Sequence, residues 1–242
     1  MSTDSVNWQK YPENIVDESR VTFGDNHLGG CNIYGDPALE LPKTWKFFVD
    51  HLNIKSVVDV GCGFGFHSKY FRDMLGCEIL SVEGSSKVAE LSLVPESIVC
   101  HDYTTGPYVP GKVYDLCWSV EFVEHVDAQF VENFISTFKK CKYLAMTHGL
   151  PGQGGHHHVN EQPPEYWIDL LRQHGFILDA DLTRKARMIS SEDKRDYLAW
   201  RSDRSPDKPY RGPAAAAHDH LGEVFLDFFF ERNGLVFKNT KI

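Results

Sequence analysis

No uninterrupted apolar run in the 242 residues reaches the length needed to cross a bilayer. The opening stretch Met1–Asn7 lacks the basic and apolar regions of a secretory signal. The expectation is a cytoplasmic protein with no membrane partner. Positive charge is scarce: 25 Lys and Arg face 34 Asp and Glu, for a formal net charge of −9. A chain of that sign gains little from counterion release on a phosphate backbone, so nucleic acid is not favoured, while small molecules and glycans gain weight as partners. Paired-cysteine signals are missing too. None of the six cysteines forms a C-x-x-C, and Cys62, Cys77, Cys100, Cys117 and Cys141 sit in or beside apolar runs. Buried free thiols are expected rather than a disulfide or zinc framework. An apolar content of 42% excludes global disorder, and the length suits one large α/β domain. Nothing in the sequence sets an oligomeric state.

What is present is organised around Ser56–Phe71. A β-branched apolar run, Ser56–Val60, reads as a buried strand; glycines follow as a tight turn; Phe66, Tyr70 and Phe71 then recur at helical spacing. Glycines serve there because backbone approaches a ligand closely and takes angles that a side chain forbids. The amide N–H groups they leave at a helix start hold polar ligand groups. A dinucleotide fingerprint would want its third glycine where Phe66 stands, whereas here the series is Asp59-x-Gly61-x-Gly63-x-Gly65.

Further strand-like runs end in candidate ligand residues. Cys77–Glu83 ends in an acid 22 residues after Gly61, where nucleotide-binding sheets place a carboxylate for ribose hydroxyls. Ser97–Tyr103 carries Asp102, which equally suits the turn before Thr104. Tyr114–Val120 runs into Glu121-Phe122-Val123-Glu124-His125-Val126, and Lys142–His148 follows as a fifth strand. Helices are expected over Lys43–Leu52 behind Pro42, from Ser85 and Ser86 through Glu96, over Asp127–Cys141, and over Glu165–His174. Phe176–Ala180 reads as a sixth strand. Val224–Phe230 is strongly apolar, and Asn233-Gly234 turns the chain into a last strand at Leu235–Asn239.

The glycine series, the acid at Glu83 and the Glu-His-Val ending of the fourth strand together resemble class I S-adenosylmethionine (SAM)-dependent methyltransferases of the small-molecule type. The resemblance covers roughly residues 57–176 and the terminal strand. It implies a doubly wound, mostly parallel seven-stranded α/β sheet with an antiparallel last strand, flanked by helices in three layers. It implies SAM as cofactor, with Gly61, Gly63 and Gly65 approaching its methionine and ribose, Asp59 organising the loop, Glu83 binding ribose and Asp102 meeting adenine. Cys62, Phe64, Gly84, Tyr103, Ser119 and Val120 complete that set by position. Glu121, His125 and His148 are the catalytic candidates, since a neutral imidazole accepts a proton as methyl transfer proceeds. His125 equally reads as a helix-start residue with a structural task.

On this reading residues 1–41 are an arm whose glycine-rich part, Phe23–Pro37, is a possible lid. Residues 42–242 are the SAM-dependent domain, with a substrate-side insertion around 184–230. Residues 184–211 hold nine basic side chains against five acids, read either as a phosphate-holding patch or as a solvated helix. The loop Gly149–Pro164 carries His156-His157-His158. If extended, it directs His156 and His158 one way and His157 the other. With His148, His125 and Glu121 these could gather a divalent cation, but the spacing matches no closed zinc framework. No metal is therefore assigned, and the loop is read as a surface for the acceptor. A metal-assisted sugar O-methyltransferase, a nucleic-acid methyltransferase and an NAD-dependent oxidoreductase are the alternative functions.

Overall fold

Short runs of Val, Ile, Leu and Cys form strands because branched side chains pack well on a pleated surface that is buried on both faces. In the computed structural model, which describes residues 27–31, 39–202 and 229–242, seven such runs pair. They are β1 (Ser56–Val60), β2 (Glu78–Glu83), β3 (Ile98–Cys100), β4 (Tyr114–Ser119), β5 (Cys141–Met146), β6 (Phe176–Leu178) and β7 (Leu235–Asn239). They form one sheet in the order β3-β2-β1-β4-β5-β7-β6. The first five are parallel to one another, and β7 runs antiparallel to both β5 and β6. This is the doubly wound, mostly parallel sheet expected. The expected arm before residue 27, the lid residues 32–38, the Pro206–Ala217 excursion and residues 224–228 of the terminal apolar run lie outside the described residues.

Register aligns the ends that matter. Asp59 of β1 stands opposite Ser81 of β2 on one side and Trp118 of β4 on the other. The carboxyl ends of these three strands therefore meet on one edge. Chain order reverses between β1 and β4, the crevice where open α/β sheets gather ligands.

Helices cover both faces. α1 (Pro42–Leu52), α2 (Phe66–Asp73), α6 (Ala180–Ser202) and α7 (Phe229–Asn233) share a core with Trp118, whose ring stacks on Phe230 at 5.3 Å. α4 (Val131–Phe138) and α5 (Pro164–Gln173) pack Phe134, Phe138 and Trp167 on the opposite face against Val58, Cys117 and Leu144. The phenylalanines at four-residue spacing thus serve the core.

Several elements are shorter than their sequence pattern. α3 (Ser86–Glu90) stops well before Glu96, because Leu93 N–H donates to the Phe64 carbonyl at 2.8 Å and ties the chain to the glycine turn. Pro95 further disfavours helical backbone just before it. The helix expected from Asp127 begins as a 3-10 turn, Ala128–Phe130, capped by the Asp127 carboxylate, and becomes α-helical only at Val131. Phe229 and Phe230 belong to the helical turn α7 and not to an extended run; pairing begins at Leu235.

Of the basic stretch, the described residues 184–202 lie in the 23-residue helix α6. Its Asp193 accepts from Lys43 N, Thr44 N and Thr44 Oγ1 at 2.8–3.1 Å and so caps the start of α1 from another element. Arg187 donates to the Gly234 carbonyl, and Lys194 pairs with Glu231 at 3.0 Å. Those two cations anchor α6 to the chain around β7.

Candidate active site

The glycine turn shows why side chains are excluded from it. Gly61, Gly63 and Gly65 all have positive φ, at 73°, 54° and 82°. A Cβ on Gly61 would stand 2.4 Å from the Phe122 ring, so that glycine is needed for its angle and for space. Asp59 is fully buried below the turn, accepts from Ser68 Oγ at 2.6 Å, and thereby joins β1 to the first turn of α2. Burial pushes its carboxyl up to about 7, with the Ser68 hydrogen bond opposing.

Glu83, at the end of β2, reaches across the edge. Its Oε2 accepts Gly63 N–H and its Oε1 accepts Ser85 N–H, each at 2.9 Å. The carboxylate is thus oriented by backbone at the edge of the cleft it lines. Asp102 sits beyond it: Oδ1 accepts Thr104 N–H at 2.8 Å, the turn role, while Oδ2 meets His27 Nε2 at 2.8 Å.

Together these residues wall an open cleft. Gly61, Gly63, Glu83, Asp102, Glu121 and His125 all line it. Residues 27–31 run over it. Leu28 lies on Gly84, Gly29 against the His125 ring, Gly30 against His156 and Cys31 over Gly63. A Cβ on Gly29 would stand 2.5 Å from the His125 ring, so only glycine passes there. Phe122, His101 and Leu28 also line the cleft, although sequence patterns did not single them out. Phe122 was legible in one way, as a residue within the Glu-Phe-Val-Glu-His-Val run after β4.

Residues 58–144 match a family model described as a methyltransferase domain. Over this stretch the chain is similar to methyltransferase domains. The chain is also 34% identical over 93 residues to the chloroplastic tocopherol O-methyltransferase of Arabidopsis thaliana, a match covering 34% of this chain. The chain spans about a quarter (26%) of that relative's length. Among solved structures, it is similar to the StiE O-methyltransferase domain, at 16% identity and a TM-score of 0.47, covering 83% of this chain and 74% of that one. It is similar to the methyltransferase domain of a bacterial Hen1, at 17% identity and a TM-score of 0.45, covering 57% of this chain and 85% of that one.

Not every residue expected at the site reaches the cleft. Cys62 and Phe64 are buried, the latter against Val88. Gly65 turns away, with Val94 and Ser92 where its Cβ would be. Ser119 and Val120 are buried at and beyond the end of β4, beneath the cleft's walls. Tyr103 presents its ring while its hydroxyl bonds Thr137 Oγ1 at 2.8 Å. His148 is fully buried on the Trp167 side, and its carbonyl accepts from Asn233 Nδ2. It lies behind the lining and not on the rim, because β5 ends two residues earlier than its pattern.

Glu121 and His125 do face the cleft. Glu121 takes φ 51°, a left-handed angle that a glutamate adopts only under constraint. Thr147 supplies that constraint, accepting Glu121 N–H and donating to Glu121 Oε1, both at 2.8 Å. Burial, with His158 adding to it, pushes the His125 imidazole down to about 4, so it is neutral at physiological pH.

The histidine loop is not extended. His157 has φ 55°, and residues 156–157 make a turn. Val159 and Asn160 N–H both donate to the Glu124 carbonyl, at 2.9 and 3.0 Å, folding the loop back over the Glu-His-Val turn. His158 thereby meets His125, ring centroids 5.0 Å apart, whereas His156 goes to the segment at Gly30.

Proposed function

We propose that this chain is a SAM-dependent methyltransferase that moves a methyl group to an oxygen or nitrogen of a small molecule, with glycans among the acceptors that fit. One observation carries the reading: the glycine turn, Glu83, Asp102, Glu121 and His125 line a single cleft. Gly61 and Gly63 admit the methionine and ribose portion, Glu83 takes ribose hydroxyls, and Asp102 exchanges its His27 contact for the adenine edge. SAM supplies a methyl already activated on sulfonium, so alignment and exclusion of water carry most of the acceleration. Glu121, Phe122 and His125 then position the acceptor. His125, neutral but weakly basic, accepts an acceptor proton at most late in transfer. Residues 27–31, crossing the cleft, act as the strap that closes over it. The tocopherol methyltransferase relative supports a small-molecule acceptor.

Among the described residues no helix is long and apolar enough to cross a membrane. Calorimetry separates the cofactor reading from a nicotinamide one: SAM is expected to bind with one site per chain and NAD not at all. Incubation with methyl-labelled SAM and a fractionated cell extract then identifies the acceptor. Label in low-molecular-mass products is expected; label only in polymeric RNA or DNA overturns the proposal.

A further inference from the structure

Glu124 has no task in the reading above, yet it is fully buried and neither of its carboxylate oxygens has a hydrogen-bond donor. A buried carboxylate without a partner costs several kcal/mol. Its neighbours supply lone pairs instead of protons. One donor atom from each of Glu124, His125 and His158 lies within 4.8 Å of the others. The Glu121 carboxyl adjoins Glu124 and lines the cleft.

The two imidazoles are oriented from behind. His125 Nδ1 lies 3.2 Å from the His157 carbonyl, and His158 Nδ1 lies 3.0 Å from Glu161 Oε1. Both acceptors hold the proton on Nδ1 and leave Nε2 as the lone-pair nitrogen. That backing by a carbonyl or carboxylate is what metal-bound histidines have. Glu161 is itself fixed, accepting Gly152 and Gly154 N–H at 2.8 and 2.6 Å.

We propose that Glu124, His125 and His158 bind a divalent cation of the imidazole-accepting kind, such as Zn2+, Co2+, Fe2+ or Mn2+, beside the cleft. Two nitrogens and a carboxylate suit these ions better than Mg2+ or Ca2+, which favour oxygen ligands throughout. Ligand atoms about 2.1 Å from a shared tetrahedral ion stand about 3.4 Å apart. The three atoms therefore draw together by up to about 1.4 Å to complete the site. Because His125 lines the cleft, the remaining coordination positions open towards it. Resting on the methyl-transfer reading, the cation's role is to hold an acceptor hydroxyl and lower its pKa, in place of proton acceptance by His125. The binding itself does not rest on that reading.

The test uses the untagged, chelator-treated full chain, titrated with Co2+ alone and followed by visible absorption and calorimetry. One Co2+ per chain is expected, displaced by Zn2+. His158→Ala and Glu124→Gln are each expected to weaken binding at least tenfold, and Glu161→Gln by roughly 10- to 100-fold. His156→Ala, in the same loop but outside the cluster, is expected to leave it unchanged, with circular dichroism reporting folding throughout. Absence of an absorption band and of heat up to about 1 mM Co2+ overturns the proposal, as does binding that survives the folded His158→Ala variant. SAM affinity, measured separately, distinguishes the two readings. Lost SAM binding with Co2+ intact counts against methyl transfer alone, and the reverse counts against the cation site alone.

Discussion

Glu83 shows how one side chain serves two ends. Its carboxylate spans the Gly63 and Ser85 amides, so it is oriented before any ligand arrives, and the oxygens that bond those amides also face the cleft. Charged hydrogen bonds contribute about 1.5–3 kcal/mol each. Glu83→Ala is therefore expected to weaken SAM binding roughly 30- to 1000-fold, measured by calorimetry; an unchanged affinity in a folded variant removes Glu83 from the site. Asp59 makes a different prediction, one of pH. Its folded-state pKa of about 7 lies above the ordinary 3.8, so the native state holds this proton more tightly than the unfolded chain does. Its contribution is fully favourable below about pH 4 and is lost as pH rises to about 7, on the order of 4 kcal/mol in all. Asp59→Asn keeps an acceptor for Ser68 and cannot ionise. Thermal unfolding between pH 5 and 8 should accordingly fall less steeply for the variant, and parallel curves contradict the argument. Glycine was legible at this scale because its angles have few substitutes; Asp59 and Glu83 were legible as acids at strand ends. Phe122 was not, since an aromatic beside a turn reads the same whether it faces a core or a cleft.

At the scale of elements, the joints between helices carry information that no single segment holds. Asp193 caps α1 across 149 residues of sequence, donating nothing and accepting three hydrogen bonds at that helix's start. Its removal leaves those amides and the Thr44 hydroxyl without their acceptor. Asp193→Ala is expected to destabilise the fold by about 2–4 kcal/mol, read from the urea midpoint; a loss below about 0.5 kcal/mol excludes the capping role. Periodicity located the helices, and their ends slipped where distant bonds intervened. α3 stops because Leu93 bonds the glycine turn, and α4 starts late because Asp127 caps a tighter turn first. The histidine loop is the sharpest departure. An extended segment would have put His156 with His158, but the two amides bonded to the Glu124 carbonyl fold it into a turn that separates them.

Across the whole molecule, the sheet order places three strand ends and two loops around one cleft, with residues 27–31 laid over it. A ligand that contacts so many elements binds the native state and not the unfolded chain. SAM at 100 times its dissociation constant is thus expected to raise unfolding free energy by about 2.7 kcal/mol, seen as a higher Tm, and NAD at the same concentration is expected to leave Tm unchanged. The sequence by itself determined the strand-turn-helix unit at Ser56–Phe71, the acid at Glu83 and the alternation of elements, because backbone angles and side-chain periodicity are local properties. Only the tertiary structure decided which histidine joins Glu124, that His148 lies inside, and that the basic helix buttresses α1 and α7. Those outcomes depend on contacts between segments far apart in the chain, where several local patterns are equally satisfied and packing selects one.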